Sequence, residues 1–400
     1  MADTLLPTND SRAAMLSYFS NPDRIPWVWS FPRNTSFDHT LFTYGDVSSA
    51  ATAVEKSVGE TWSDPAVGQV HDSDGPFVML TGSGFLPFTT QQRANRGGVV
   101  AGTTFYVIDI ESGSVHASRS VGSDGVAETV DNCKNMAAGC DEIKNALQMD
   151  PVATGPTSSR FVSKTYIGDL DGKVWRLNVD LNSSTSEVTL SAPVALYNAG
   201  KRHPLFSSMA TVTVGGTEQY IFVGTGSDTL PSTGVNHAYS MLVLLDTGSA
   251  AIKKAELLME TTDGIGPDEK ITSFPAVAGD IVFFTTTSYN PTTPCSPYSA
   301  TLYATTFIGG PAYDTNGDGV LTASTSTSTK AKKGGSTGGA AVDSTKVFTA
   351  SNTRATAPFI VDQHLVFSVN GKIEMFGDPK DFNNGVGQAG IRILSWRTVR

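Results

Sequence analysis

Charge is scarce in this chain of 400 residues: Asp, Glu, Lys and Arg make up 16% of it, low for an ordinary soluble domain. What charge there is runs acidic, with 38 Asp and Glu against 28 Lys and Arg and a formal net charge of −10. That balance argues against nucleic acid or an anionic membrane surface as the main partner, because both require clustered cations. The only basic run, Lys330-Ala-Lys-Lys333, sits in a Ser/Thr/Gly-rich tract and reads as a solvated loop.

Cysteine is rarer still. Three residues are too few for a four-cysteine zinc site. Cys133 and Cys140 lie close enough in sequence to close a small disulfide loop, which would imply an oxidising compartment, or they are two unrelated thiols. Cys295 stands alone. The histidines at 39, 71, 116, 203, 237 and 364 are scattered, with no metal-binding pair at helical or hairpin spacing. There is no G-x-S-x-G elbow and no vicinal Cys-His arrangement. No stretch approaches the roughly 20 apolar residues of a membrane helix. Met1-Ala2-Asp3 leads into polar sequence without the regions of a signal peptide. The expectation is a cytoplasmic protein or an internal fragment given an initiator methionine, and the Thr-rich, charge-poor make-up favours the fragment.

Hydrophobic residues make up 39% of the chain, enough for a sizeable core, and 39 Gly and 20 Pro favour short strands and many turns. The clearest local structure is Lys164-Thr-Tyr-Ile-Gly-Asp-Leu-Asp-Gly-Lys-Val-Trp-Arg-Leu-Asn-Val179. It reads as a hairpin around Asp171-Gly172, with a type I′ turn expected. A period of two places Trp175, Leu177 and Val179 on a buried face and leaves Arg176 and Asn178 on the other. In this setting Asp169 and Asp171 read as turn and edge residues, not as catalytic acids.

The pattern recurs. Strands are expected from Trp62, Phe77, Thr104 and Ser114; then from Phe206, Tyr220, Met241 and Lys253; then from Thr272 and Ala300; and finally from Thr356 and Lys372. Pro65-Ala-Val-Gly, Pro275-Ala-Val-Ala-Gly and Pro358-Phe-Ile-Val occupy equivalent places. So do Tyr106-Val-Ile-Asp, Trp175-Arg-Leu-Asn and Leu242-Val-Leu-Leu-Asp. A four-stranded unit repeating every 40–60 residues or so predicts an all-β fold, a β-propeller of about seven four-stranded antiparallel blades. The whole chain, residues 1–400, is read as one domain, with the first 40–60 residues the least legible. A short helical turn is expected within Ala50 to Val58. Two insertions are expected, at about residues 123–159, with a short helix over Asp141 to Met149, and at about residues 309–345. Thr81-Gly-Ser-Gly84 and Gly224-Thr-Gly-Ser227 end strands without opening helices, so they read as blade turns and not as phosphate loops.

The second insertion opens with Asp314-Thr-Asn-Gly-Asp-Gly-Val-Leu-Thr322. Oxygen ligands at the first, third and fifth positions, a turn-forming Gly at the sixth and a carbonyl at the seventh match the first half of a Ca²⁺ loop. The ligands would be Asp314, Asn316, Asp318, the backbone of Val320, and Thr322. The twelfth position is Thr325, so Asp343 or water would have to complete the shell. The spacing favours calcium over an ordinary Asn-Gly/Asp-Gly turn. No organic cofactor is expected.

The segment Tyr166-Ile-Gly-Asp-Leu-Asp-Gly-Lys-Val-Trp-Arg-Leu177 resembles the most characteristic blade of the C-terminal propeller of PilY-type type IV pilus proteins. Thr61-Trp-Ser-Asp-Pro-Ala-Val-Gly68, Phe105-Tyr-Val-Ile-Asp-Ile-Glu-Ser-Gly113 and the closing Ile393-Leu-Ser-Trp-Arg397 resemble that family's quinoprotein-like repeats. The resemblance implies a non-enzymatic protein, exported through the periplasm to the cell surface. It would cap the pilus with minor pilins, promote assembly against retraction, and adhere to host or abiotic surfaces. Family members often carry a Ca²⁺ loop just before this hairpin. Here Ala153 to Arg160 has no carboxylate, so that site does not carry over. The family's N-terminal adhesion domain has no counterpart here, as a fragment would show. The alternatives are a pyrroloquinoline-quinone-type dehydrogenase on the same repeat, or a generic extracellular protein-binding propeller.

Calcium should raise the melting temperature of the wild type, and Asp314→Ala combined with Asp318→Ala should abolish that rise in a calorimetric scan. A shift that survives both substitutions would put the metal elsewhere.

Overall fold

Runs such as Met241-Leu-Val-Leu-Leu245 and Ile281-Val-Phe-Phe284 have no polar alternation, so they suit strands covered on both faces. The computed structural model describes residues 52–59, 61, 63–70, 75–84, 101–121, 146–156, 161–182, 184–200, 203–214, 218–226, 239–247, 256–260, 265, 269–279, 281–289, 298–307, 309–313, 344–361, 364–369 and 371–376. These form five antiparallel sheets in chain order.

The first sheet runs β1 (Ala66–Gln69), β2 (Phe77–Gly82), β3 (Thr104–Asp109), β4 (Val115–Ser120). The second holds β5 (Val152–Thr154), β6 (Lys164–Gly168), β7 (Lys173–Asn182), β8 (Glu187–Leu190) and β9 (Val194–Asn198). The third is β10 (Ala210–Val214), β11 (Glu218–Gly224), β12 (Met241–Asp246), β13 (Glu256–Glu260). The fourth is β14 (Ala276–Ala278), β15 (Ile281–Tyr289), β16 (Tyr298–Thr306), β17 (Lys346–Ser351), and the fifth β18 (Phe359–Val361), β19 (His364–Val369), β20 (Lys372–Phe376). In the second sheet the ten residues of β7 serve two partners. Lys173 to Arg176 pair with β9, and Val179 to Asn182 pair with β8.

Successive residues of one strand enter different cores. On β11, Ile221 and Val223 join the core shared with the first two sheets, while Phe222 joins the core shared with the fourth. On β12, Leu242 and Leu244 face the earlier core and Met241 and Val243 the later one. The same division separates Val282 and Phe284 from Phe283 on β15, where Phe283 meets Leu365 and Phe367 of the last sheet. A strand presents opposite faces with a period of two, so this division means that the sheets stack face on face in sequence order. Phe284 and Tyr303 stack at 4.9 Å within the core between the third and fourth sheets.

At the two ends of the described stack the outer faces differ. A short helix α1 (Ala53–Lys56) opens on a capping box, in which Glu55 N donates to Thr52 Oγ1 at 3.2 Å and Thr52 N to Glu55 Oε2 at 2.8 Å. Ser57, just after it, shares a 2.6 Å hydrogen bond with the hydroxyl of buried Tyr106 on β3. On the last sheet, Phe359, Met375 and Ile373 share the outer face by register and are exposed, Ile373 at 75%.

The all-β, antiparallel reading holds. The described residues give sheets of three, four and five strands instead of uniform four-stranded blades. The helical turn expected before Val58 is α1. The stretch read as an insertion over 123–159 contains β5, and the part of the expected helix that is described, residues 146–149, is not helical. Three residues of strand were too short to register as a period. Only Gly172 (φ +83°) has a positive φ in the hairpin turn, not Asp171, so the turn is not type I′. It is the longer form in which a left-handed glycine closes a type I turn. Cys133, Cys140, Cys295 and the Asp314 loop lie outside the described residues.

The predicted polar face of the hairpin is divided: Asn178 is exposed as expected, but Arg176 is buried. Arg176 is 5% exposed, because the third sheet lies against it. Its Nη1 donates to Asp246 Oδ1 at 2.8 Å and Oδ2 at 3.0 Å, and the Tyr166 hydroxyl donates to Asp246 Oδ2 at 2.8 Å. Burial, with Asp246 beside it, raises the Tyr166 hydroxyl well above its usual pKa and keeps it a donor. Breaking one side of such a pair strands a buried charge, at a cost of about 3–5 kcal/mol. Arg176→Met should therefore lower the urea midpoint sharply, and adding Asp246→Leu should recover most of the loss. A single variant as stable as wild type would show that the pair does not join the sheets.

Candidate functional site: a cleft where the first strands converge

Three glycines at the ends of second strands set the geometry. Gly82, Gly168 and Gly224 each face the segment leading into the next sheet, and a Cβ on any of them would overlap it. The residues met are Leu147 at Gly82, Leu205 and Met149 at Gly168, and Ile271 at Gly224. Backbone hydrogen bonds lock each seam. Gly84 N donates to Leu147 O at 2.9 Å, Leu205 N to Asp169 O at 3.0 Å, and Ile271 N to Thr225 O at 3.0 Å. The Gly-containing turns that resemble phosphate loops in sequence are thus inter-sheet seams.

Beyond each seam the chain turns into a first strand, and these strands converge: β5 touches β1 and β10, and β14 touches β18. The lead-in segments border an open cleft of about 340 Å³, lined by Gln148, Asp150 and residues 206–208, 272–274 and 355–357 from four consecutive sheets. Phe206 and Phe274 supply apolar walls, and Ser207, Ser208, Thr272, Ser273 and Thr356 supply hydroxyls. Asp150 is the one carboxylate among the described lining residues, and its Oδ1 accepts from Asp64 N at 2.7 Å. Gln148 and Ser207 are each 7% exposed, and Gln148 Oε1 and Ser207 Oγ have no hydrogen-bond partner. Buried polar atoms in that state are uncommon, and each calls for a physical reason.

The opening hairpin holds one wall of this cleft in place. Asp169 is fully buried, and its Oδ1 accepts from Asp171 N at 3.0 Å and Lys173 N at 2.8 Å, shaping the turn. Its Oδ2 accepts from Trp175 Nε1 at 2.6 Å, and its backbone carbonyl holds Leu205, next to Phe206 and Ser207. Burial pushes its carboxyl up to about 7, against the hydrogen bonds that pull the other way. Asp171 accepts from Lys173 Nζ at 2.6 Å, and that ammonium lies 5.9 Å from the Trp175 ring. The reading of both Asp residues as turn residues stands, with Asp169 in the core instead of at an edge.

The proposed ligands Asp314, Asn316, Asp318, Val320 and Thr322 fall outside the described residues. The segment entering that loop is anchored. Ala312 N donates to Ala304 O at 3.3 Å, and the Tyr313 ring lies 5.1 Å from Phe376. Among the described residues no three His, Cys, Asp or Glu side chains gather as a metal would require, and no helix is long and apolar enough to cross a membrane. Sequence reasoning missed the convergence of the lead-in segments on this cleft. The available signal was Pro151, which precedes β5 as Pro65 precedes β1 and Pro275 precedes β14.

No family model matches the chain, and no curated protein matches it. Among solved structures it is similar to the C-terminal domain of Pseudomonas aeruginosa PilY1, at 13% identity and a TM-score of 0.50, covering 81% of this chain and 73% of that one. BamB from Moraxella catarrhalis matches at 12% identity and a TM-score of 0.28, over 79% of this chain and 81% of that one. Drosophila Plexin A in complex with Semaphorin 1b matches at 9% and 0.27, over 76% and 72%. The likeness to the PilY1 domain is one of fold, and it agrees with the family resemblance of the hairpin. The other two are too slight to carry an argument.

The raised carboxyl of Asp169 fixes a sign. The folded state keeps a proton that the unfolded chain releases above its ordinary value of 3.8. The contribution is therefore full below about pH 4 and is lost as pH rises through about 7. Asp169→Asn should flatten this part of the stability profile, so that wild type minus variant falls between about pH 4.5 and 7.5 in urea titrations followed by Trp fluorescence. A difference independent of pH would mean that Asp169 stays ionised in the fold.

Proposed function

We propose that the chain is the propeller portion of a non-enzymatic type IV pilus assembly and tip factor, which promotes pilus extension and surface adhesion. The observation that carries this reading is the likeness of its sheet stack to the PilY1 C-terminal domain across 81% of the chain. The hairpin that resembles the family's most characteristic blade is also the element that ties the second sheet to the third through Arg176 and Asp246. In this reading the chain acts outside the cell at the pilus tip, with minor pilins as partners and a host or abiotic surface as the target. Calcium bound by the Asp314 loop would modulate it. That loop connects β16 and β17, adjacent strands of one sheet, so metal binding would stiffen a connection without rebuilding the core.

No catalysis is assigned to the buried acids. The Asp169 carboxylate is engaged by three donors, and Asp246 by a guanidinium and a phenol. Both hold structure together.

Deleting the chain from its host should reduce surface pilin recovered by shearing several-fold, and should reduce attachment to glass in parallel. Removing the retraction machinery as well should restore the pili. Normal piliation and attachment in the deletion strain would overturn the assignment.

A further inference from the structure

The third strand of each of the first four sheets is held from both sides. β3, β7, β12 and β16 each pair with the strand before them. Each also pairs with a strand supplied by the chain that follows: β4, then β8 and β9, β13 and β17. These third strands are mostly buried. β20 holds the same place in the last sheet, yet among the described residues it pairs only with β19. No residue of β20 is buried, and Ile373 and Met375 are 75% and 61% exposed. An edge in that state offers a row of backbone donors and acceptors to any chain that can pair with it.

Charge does little to guard this edge. Lys372 and Glu374 lie by register opposite Val369 and Phe367, on the face that joins the core shared with the fourth sheet. The outer face of β20 carries only Ile373 and Met375. The chain that follows supplies a match. Residues 377–390 hold Pro379, Gly377, Gly385, Gly387 and Gly390, the residue types of a connection. Ile391-Arg-Ile-Leu-Ser-Trp-Arg-Thr-Val399 has no Gly or Pro and is rich in β-branched and aromatic residues, which favour a strand. The connections after β3, β12 and β16 span residues 110–114, 247–255 and 307–345. One spanning 377–390 falls within that range of lengths. A segment tethered so closely has an effective concentration of about a millimolar, well above that of a second copy or a partner in dilute solution.

We propose that residues 391–399 dock along β20 as an antiparallel fourth strand, closing the edge of the last sheet and flanking Ile373 and Met375. The edge is then sealed by the chain itself and closed to strand addition by another protein. This closure needs no pilin, metal or surface, so it and the pilus assignment can fail separately.

The test is amide hydrogen exchange of the full chain, followed by mass spectrometry. Residues 372–376 and 391–399 should both exchange at least roughly tenfold more slowly than an unstructured chain, at rates independent of protein concentration. Neighbouring amides of a strand point to opposite sides, so one of Leu394→Pro and Ser395→Pro removes a donor to β20 and the other does not. The first should speed exchange of residues 372–376 about tenfold and the second less, while β6 and β12 exchange as in wild type. Exchange of 391–399 at the unstructured rate would overturn the proposal, as would unchanged exchange of 372–376 in both variants. Protection of 372–376 that grows with protein concentration would assign the edge to a second copy and overturn it too. Faster exchange spreading to β6 and β12 in both variants would do the same, by showing that the segment supports the whole fold and not this edge.

Discussion

Each sheet in the middle of this molecule is covered on both faces, and most of its other features follow from that constraint. A lone antiparallel sheet normally presents one face to water and alternates apolar with polar residues. Here β11, β12 and β15 carry unbroken apolar runs because alternate side chains enter different cores. Stacking in chain order then needs close, regular spacing between the end of one second strand and the entry to the next sheet. Gly82, Gly168 and Gly224 provide it, since any side chain there would collide with the entering segment.

The same seams build the cleft. The segments that pass the glycines run straight on into residues 148–150, 206–208 and 272–274. The cleft is thus a by-product of how the sheets stack. Asp169 links the two levels. Its side chain fixes the hairpin turn and the Trp175 indole, and its carbonyl fixes Leu205 at the edge of the cleft. A strained or displaced turn would be felt at Ser207 through one hydrogen bond and two residues of backbone.

Carboxylates at equivalent strand ends take different roles. Asp109 and Asp246 occupy matching places at the ends of β3 and β12. Asp109 caps its own turn, accepting from Ser112 N at 2.7 Å, and the hydrogen bonds from Ser112 hold its pKa below the usual carboxylate value. Asp246 is 0% exposed and instead meets Arg176 of the preceding sheet. An ion pair of this kind adds little net stability over an apolar pair, but it penalises any stacking that separates its members. It suits an interface where otherwise similar β-sheets must find one register.

Sequence by itself determined the class of fold, most strand positions and the family likeness. The reason is local: turn residues and strand periods are written in neighbouring positions, as in Asp171-Gly172 followed by Trp175, Leu177 and Val179. It also marked the prolines that introduce first strands. What it left undecided depends on residues far apart in the chain. Arg176 looked solvent-facing because nothing near it in sequence announces Asp246, 70 positions away. Asp169 looked like an edge residue because its burial comes from packing between sheets. The cleft has no local pattern at all; it exists only where four separate lead-in segments converge. Short β5 escaped notice for a related reason, since three residues show no period until a neighbouring strand pairs with them. Local periodicity set the strands, and the stacking of distant sheets decided which polar groups were buried and where the cleft lies.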